Sequence, residues 1–228
     1  MRKNQKGFTL IEIAIVLVII GLLLGGVLKG QELIQNARVR NIIAQQDGIK
    51  AAFFGFQDRY RGIPGDYTKA NANANIPGAG TTCGPTTSDS LIDTTDKSIC
   101  AWYQLSKAGF ITGNYTGTGS VADPTNSPSN PFGGLMQLIF DNIYADGATL
   151  AGGVSTIPSV HNIKTGTSIP ATILAEVDRK IDDGTPNTGN FRFSAWPSSL
   201  SAICIAGSGP YTWAITSTAT QCGGVSLF

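Results

Sequence analysis

Glu12 is the one charged residue in an apolar run of 21 residues that begins at Phe8 and ends at Leu28. A short basic leader precedes this run and ends in Gly7. A carboxylate inside a membrane costs roughly 2.5–3.5 kcal/mol on insertion scales, so an acid at this position indicates a function. The chemistry that it suggests is ion pairing, because an unpaired charge in an apolar surrounding is very costly.

Two simpler interpretations of this segment are a secretory signal peptide and a plain membrane anchor. A secretory signal has an apolar stretch of only about 7–15 residues that ends in a small-x-small cleavage site, and no such site follows this run. About 20 apolar residues do span a bilayer, so an anchor accounts for the length of the run. An anchor accounts neither for Glu12 nor for the glycine at the junction.

The junction resembles the class III signal of type IV pilins and the related pseudopilins. The residues that match this pattern one by one are Gly7, Phe8, Thr9, Leu10, Ile11 and Glu12. The resemblance implies that a membrane peptidase cuts between Gly7 and Phe8 and then methylates the new amino group of Phe8. It also implies that Glu12 pairs with the N-terminal amine of a neighbouring subunit during filament assembly.

Four cysteines, Cys83, Cys100, Cys204 and Cys222, lie in a region rich in Gly, Thr, Ser and Asn. An even number of cysteines in such a domain predicts disulfides and an oxidising compartment. Three pairings are open, and we favour the local ones, Cys83–Cys100 and Cys204–Cys222, whose loops contribute about 3 kcal/mol each on the chain-entropy model. A zinc site is the alternative, but no CxxC spacing occurs. We expect the lone His161 at the surface or in a turn.

Beyond the apolar run, a stripe of side chains recurs every three or four residues. Its members are Val39, Ile42, Gln46, Ile49, Phe53, Phe56 and Tyr60, with Gln46 as the polar one. This period predicts an amphipathic helix. A helix unbroken from Phe8 to Tyr60 would be about 80 Å long at 1.5 Å per residue. The stretch Arg61–Asp66 should end it, since Pro64-Gly65 suits the centre of a type II turn.

The remaining residues predict a head that combines helices with an antiparallel sheet. The expected elements are a loop over Lys69–Pro85, a helix over Thr95–Ala108 stopped by Gly109, an exposed loop over Thr112–Asn130, a helix over Ala171–Ile181, and strands over Leu135–Tyr144, Ser155–Ile163, Phe191–Phe193, Ala202–Ala206 and Tyr211–Ile215. The fold class is therefore α+β. A long N-terminal helix, transmembrane and then amphipathic, packed on an antiparallel sheet with disulfide-closed loops, is also what the pilin resemblance implies.

An acidic cluster closes the predicted helix over Ala171–Ile181. Asp178, Asp182 and Asp183 lie at its C-terminal end, where the helix dipole disfavours anions. Some pseudopilins hold calcium with carboxylates of head loops, and calcium prefers such oxygen ligands. These three residues are the candidate calcium site, although the EF-hand spacing is absent. The alternative is a capped turn in which Arg179 and Lys180 neutralise the acids.

The expected organisation has four parts. They are a leader removed by the prepilin peptidase (1–7), a transmembrane or filament-core helix (8–28), an amphipathic stalk helix (29–61) and a periplasmic or extracellular head (62–228). The head carries seven Lys/Arg and eleven Asp/Glu, a net charge of about −4, which argues against a general nucleic-acid surface. With one histidine and no phosphate-binding loop, we expect no enzyme.

The resemblance implies a structural subunit of a type IV pilus filament, as a major or a minor pilin. One alternative is a pseudopilin of a type II secretion system, and another is a minor pilin that acts as an adhesin or in DNA uptake. The expected partners are further copies or other pilins, the prepilin peptidase/methylase and the inner-membrane assembly machinery. Before assembly the protein would cross the inner membrane once with its N-terminus in the cytoplasm. No cofactor is expected apart from the calcium just described.

Overall fold

The first element of the chain is a single long helix, α1 (Leu10–Tyr60). The computed structural model describes residues 9–145, 157–194, 196, 201–216 and 220–228. The chain divides after Arg38 into an N-terminal unit and a second unit, Val39–Phe228, which contains the head. Gly21, Gly25 and Gly26 each weaken a helix by about 1 kcal/mol, yet α1 continues through them.

In the first unit, the side chains of α1 from Leu10 to Leu28 are exposed. They are almost all apolar, so this stretch presents an apolar surface on every side. By length and composition α1 is suited to cross a membrane. This finding agrees with the transmembrane segment expected from the sequence.

In the second unit, α1 buries the predicted stripe. Val39, Ile42, Gln46, Ile49, Phe53 and Phe56 are all buried, which confirms the amphipathic period. Each fully buried apolar side chain of this size contributes about 1.5–3 kcal/mol. α1 ends at Tyr60, and Arg61 has a positive φ of 54°.

The turn after α1 has the predicted geometry. The Asp66 N–H donates to the Ile63 carbonyl at 3.2 Å, which closes a four-residue turn around Pro64-Gly65. Gly65 has a φ of 87°, as the third position of a type II turn requires. The sequence therefore stops the helix where we expected.

Two helices follow in the head, α2 (Lys69–Asn75) and α3 (Thr95–Lys107). α2 corrects the expected loop over Lys69–Pro85: the Thr68 hydroxyl accepts from the Asn71 N–H and starts a short helix there. α3 agrees with its prediction and buries Ile99, Trp102 and Leu105. Gly109, with a φ of 78°, ends it in the manner of a C-terminal glycine.

The main sheet has four antiparallel strands in the order β1-β2-β6-β3. Its strands are β1 (Gln137–Asp141), β2 (Val160–Lys164), β3 (Phe191–Ser194) and β6 (Gly223–Leu227). Residues 155–156 of the expected strand Ser155–Ile163 lie outside the described part. Helix α4 (Ala171–Ile181) has the predicted bounds.

The chain between β3 and β6 differs from the prediction. Instead of two further strands of the main sheet, it forms the short helix α5 (Ser201–Cys204) and a separate two-stranded sheet of β4 (Ile205–Ala206) and β5 (Thr212–Trp213). The expected strands Ala202–Ala206 and Tyr211–Ile215 are therefore wrong in extent and in partner. Only two residues on each side pair with each other across the turn that joins them.

Two clusters of buried side chains form the core of the second unit. One joins Ile49, Phe53 and Phe56 of α1 to α3, β1 and β2, with Trp102 fully buried in it. The other joins Val39 and Ile42 of α1 to α4, β3 and β5. α1 from Val39 to Phe56 is therefore part of the core of the head, and this places the boundary of the unit well before Arg61.

The structure pairs Cys83 with Cys100 and Cys204 with Cys222, the local pairing that the sequence favours. Cys204 and Cys222 are both fully buried. Backbone hydrogen bonds in both directions join Cys222 to Ile169, just before β6 begins. The second disulfide therefore ties the two-stranded sheet to the entry of a central strand.

Replacing Cys204 and Cys222 together by serine should lower the free energy of unfolding by about 3 kcal/mol, because the bridge closes a loop with a sequence separation of 18. Urea unfolding of the full chain in detergent, followed by tryptophan fluorescence, measures this change. The double serine variant of Cys83 and Cys100, with a separation of 17, is the matched comparison. A loss below about 1 kcal/mol at Cys204–Cys222 would contradict the assignment.

Candidate functional site

Glu12 forms hydrogen bonds within the first turn of α1. Its Oε2 atom accepts from the Thr9 backbone N–H at 2.7 Å and from the Thr9 hydroxyl at 2.7 Å. The Glu12 N–H donates back to the Thr9 hydroxyl at 3.3 Å. This reciprocal pattern is a capping box, in which Thr9 precedes the helix and Glu12 is its third residue. The Thr-x-x-Glu spacing is the local sequence signal of this cap.

Among the described residues, the capping box gives the Glu12 carboxylate no cationic partner. Residues 9–28 contain no Lys, Arg or His, and the bonds from Thr9 are those of neutral groups. The carboxylate is exposed on an otherwise apolar helix surface. An ionised group on such a surface can bind an ammonium group from another chain, where burial makes ion pairing favourable.

Gly7 and Phe8, the expected cleavage and methylation positions, lie outside the described residues. Their roles stay predictions that rest on the sequence motif. The described chain begins at Thr9, one residue after the expected cut. The position of Glu12 in the first turn of α1 agrees with the spacing that the motif requires.

The structure brings the three predicted acids together at the end of α4. Carboxylate oxygens of Asp178, Asp182 and Asp183 all lie within 4.8 Å of one another. Asp178 is fully buried, whereas Asp182 is half-buried and Asp183 is exposed. The grouping is the one that the sequence predicted as a candidate calcium site.

Each acid of this cluster already accepts hydrogen bonds from the protein. Asp178 accepts from the Trp213 indole N–H at 2.7 Å, and Asp182 accepts from the N–H groups of Asn190 and Phe191. Asp183 accepts from the Thr185 N–H at 2.8 Å and from the Thr188 hydroxyl at 2.5 Å. These donors offset the negative charge in the absence of an ion. The acids are therefore capped by these donors, whereas Arg179 and Lys180, the cations expected to neutralise them, pair with Glu176 instead. Calcium at this site stays a prediction.

The buried acid of the cluster has a perturbed ionisation. Burial raises the pKa of Asp178 to about 6, and the nearby charges of Asp183 and Asp182 act in the same direction. The hydrogen bonds from Trp213 and Gly184 act against this rise. A bound cation would favour the ionised form and so lower the pKa again.

A second charged cluster, which the sequence did not indicate, connects the turn after α1 to α3. The Lys97 ammonium lies 3.0 Å from Asp66, 2.7 Å from Asp89 and 3.0 Å from Asp93. Burial works against its charge, but the hydrogen bonds that the ammonium donates to Asp89, Asp66 and Asp93 outweigh it and raise the pKa of Lys97. Asp66 is fully buried and also accepts from the N–H groups of Asp89 and Ser90. We assign this cluster a structural role.

His161 lies in β2 and not in a turn or at the open surface, so that expectation is wrong. Its ring packs against Phe53 and Phe140 at centroid distances of 5.3 and 4.9 Å. Burial lowers the pKa of His161, with the Asp66 charge acting in the opposite direction. An alternating strand places every second side chain inward, and a polar residue can occupy such a position.

Comparison with known families locates one match, at the N-terminus. Residues 2–28 match the family model described as the prokaryotic N-terminal methylation motif, which is the class III signal suggested by the sequence. No curated protein and no solved structure was found to match the chain. The match contains Gly7, Phe8 and Glu12, and it does not extend into the head.

The raised pKa of Asp178 predicts a pH dependence of stability. In the unfolded chain an aspartate has a pKa of about 3.9, and in the folded protein Asp178 has one of about 6. The folded state therefore binds the additional proton between these values, and the contribution of Asp178 to stability falls as the pH rises from about 4 to about 6. The loss should be on the order of 1–3 kcal/mol relative to Asp178→Asn.

Urea unfolding of the full chain at a series of pH values measures this difference, with Asp58→Asn, which changes a highly exposed acid, as the control. Thermal unfolding at pH 7.5 and at pH 5, with and without calcium, tests whether the cluster binds calcium. If calcium binds, it should raise the melting temperature at pH 7.5, where Asp178 is ionised, and only a little at pH 5, where Asp178 is mostly protonated. The Asp178→Asn variant should show no rise at either pH. An unchanged melting temperature at both pH values would remove the calcium prediction.

Proposed function

We propose that this chain, whose first 28 residues carry the methylation signal of type IV pilins and pseudopilins, is a structural subunit of a type IV pilus filament. It is cut between Gly7 and Phe8, held in the inner membrane by α1, and assembled with further copies or other pilins through that helix. The observation that carries the proposal is the matched motif at residues 2–28 together with one acid on an exposed apolar helix.

The charge of Glu12 supports assembly through α1. Cleavage before Phe8 creates an ammonium group four residues before Glu12, in each copy of the chain. When apolar helices pack together, each copy then brings one carboxylate and one amine into a surrounding that cannot solvate them. Pairing the carboxylate of one copy with the amine of the next satisfies both groups, whereas removing one partner leaves a buried charge and costs about 3–5 kcal/mol.

The partners follow from this processing. The prepilin peptidase/methylase acts on the junction at Gly7 and Phe8, and the inner-membrane assembly machinery extracts the processed chain into the filament. The head would lie in the periplasm before assembly and outside the cell afterwards. The two disulfides suit that oxidising environment. The function is structural and does not require catalysis.

Two related functions share the same signal. A pseudopilin of a type II secretion system would build a short periplasmic filament, and the large head of residues 62–228 favours a pilus subunit over the main pseudopilin. A minor pilin would act as an adhesin or in DNA uptake, but the net negative head argues against DNA. A filament seen outside the cell, and the proportion of this chain in it, distinguishes these three.

Glu12→Gln should reduce the amount of surface filament at least about tenfold when the variant is the sole copy, because it leaves the amine of the neighbouring subunit unpaired. Glutamine can still close the capping box, so the variant separates the charge of Glu12 from its helix-capping role. Thr9→Ala is the matched control: it removes the side-chain cap, at about 1 kcal/mol, and keeps the charge.

Filaments sheared from cells and quantified by immunoblotting measure both variants, with the membrane fraction as the control for expression. We expect Glu12→Gln in the membrane but scarce in filaments, and Thr9→Ala near the normal level. Normal filament from Glu12→Gln together with a loss in Thr9→Ala would show that capping, and not the charge, is what the motif provides.

A further inference from the structure

A groove of about 500 Å³ runs along the head beside α1. Its lining includes Gln45 and Gly48 of α1, together with Trp102, Phe110, Thr112 and Tyr115. We call it the Gly48 groove. Its volume lies in the range of roughly 300–1,000 Å³ that is typical of small-molecule pockets. All of its lining residues belong to the second unit.

The lining of the Gly48 groove has no charged residue. Its one ionisable side chain is Tyr115, and burial raises the pKa of that phenol above its usual range, so it stays neutral at physiological pH. A charged ligand would lose water in the groove and find no opposite charge. The groove therefore favours a neutral ligand, although the head as a whole is rich in acids.

The polar groups of the groove both donate and accept hydrogen bonds. Trp102 is fully buried, so its indole N–H is not accessible from the groove. The Gln45 side-chain N–H donates to the Ser129 carbonyl at 2.9 Å, so the oxygen of the same amide remains as an acceptor. Thr112 adds an exposed hydroxyl. Such a mixture suits ligand hydroxyl groups, which can do both.

The remaining lining is apolar. Phe110 and Tyr115 are half-buried and contribute aromatic surface, while Gly48 leaves space where a side chain would stand. A β-carbon added at Gly48 would meet no atom within 4 Å. The walls are helices and loops, not the edge of a sheet, so an extended peptide would find no strand to pair with.

We propose that the Gly48 groove binds a neutral pyranose sugar. A pyranose ring presents apolar C–H faces, which can lie on Phe110 and Tyr115, and a rim of hydroxyl groups, which can pair with Gln45 and Thr112. The ring carries no charge, in agreement with the uncharged lining. This proposal does not depend on filament assembly, since the groove lies in the head alone.

The test is a titration of purified full-length protein with the methyl glycosides of glucose, galactose, mannose and N-acetylglucosamine. The protein is kept in a zwitterionic detergent without a sugar headgroup, and saturation-transfer NMR detects binding. We expect at least one of the four to bind with a dissociation constant of about 1 mM, as befits a ligand of this size. The charged methyl glucuronide should bind at least about tenfold more weakly than its neutral counterpart.

Gly48→Leu fills the groove and should weaken binding at least about tenfold, while the helix keeps or gains stability because leucine favours it over glycine. Ala51→Leu is the matched control, since Ala51 is exposed on α1 and does not line the groove; its affinity should stay within about twofold of the unmodified chain. No saturation transfer to any of the four sugars at about 10 mM, or equal binding in Gly48→Leu, overturns the proposal. Equal binding of the glucuronide overturns it as well.

Discussion

Glu12 places an ionisable carboxylate on an apolar helix surface, and this charge needs a partner wherever that surface is buried. Water satisfies it only while the first turn is exposed, and the Thr9 groups that bond it carry no charge. In a bilayer or a helix bundle the cost of an unpaired acid is several kcal/mol. In the proposed filament, an amine created at Phe8 in a second copy would meet that need, and the charge would then convert a nonspecific apolar contact into one with a fixed register.

The head is built so that the same helix supplies its core. Val39, Ile42, Ile49, Phe53 and Phe56 of α1 enter two buried clusters, and the Lys97 cluster fixes the turn that follows α1. The disulfides Cys83–Cys100 and Cys204–Cys222 each close a loop region that has little regular structure. A force carried by α1 would therefore be transmitted to packed side chains, and through them to the four-stranded sheet.

The sequence predicted long, periodic or capped elements well. α1, α3 and α4 carry strong apolar periods, and Gly109 marks the end of α3. β6 was missed because Gly223 and Gly224 lower its strand propensity. The structure shows why a glycine is needed there: a β-carbon at Gly224 would lie 2.4 Å from the Phe191 ring. A close approach between distant segments leaves no local signal.

The same limit applies to the sites. The acids of α4 are neighbours along the chain, so their grouping could be predicted, but the Trp213 donor to Asp178 is 35 residues away. The partners of Lys97 include Asp66, which is likewise distant. The capping box of Thr9 and Glu12 is local and was readable. Apart from the disulfide pairs, the tertiary contacts of these sites became visible only in the structure.

The most direct test of this account is the mass spectrum of the N-terminal peptide in filaments sheared from the cell surface. The account predicts an abundant peptide that begins at N-methylated Phe8. The same peptide confined to the cell envelope would favour a pseudopilin or a scarce minor pilin. A chain in the membrane that still begins at Met1 would contradict processing at Gly7 and return the segment to a plain anchor.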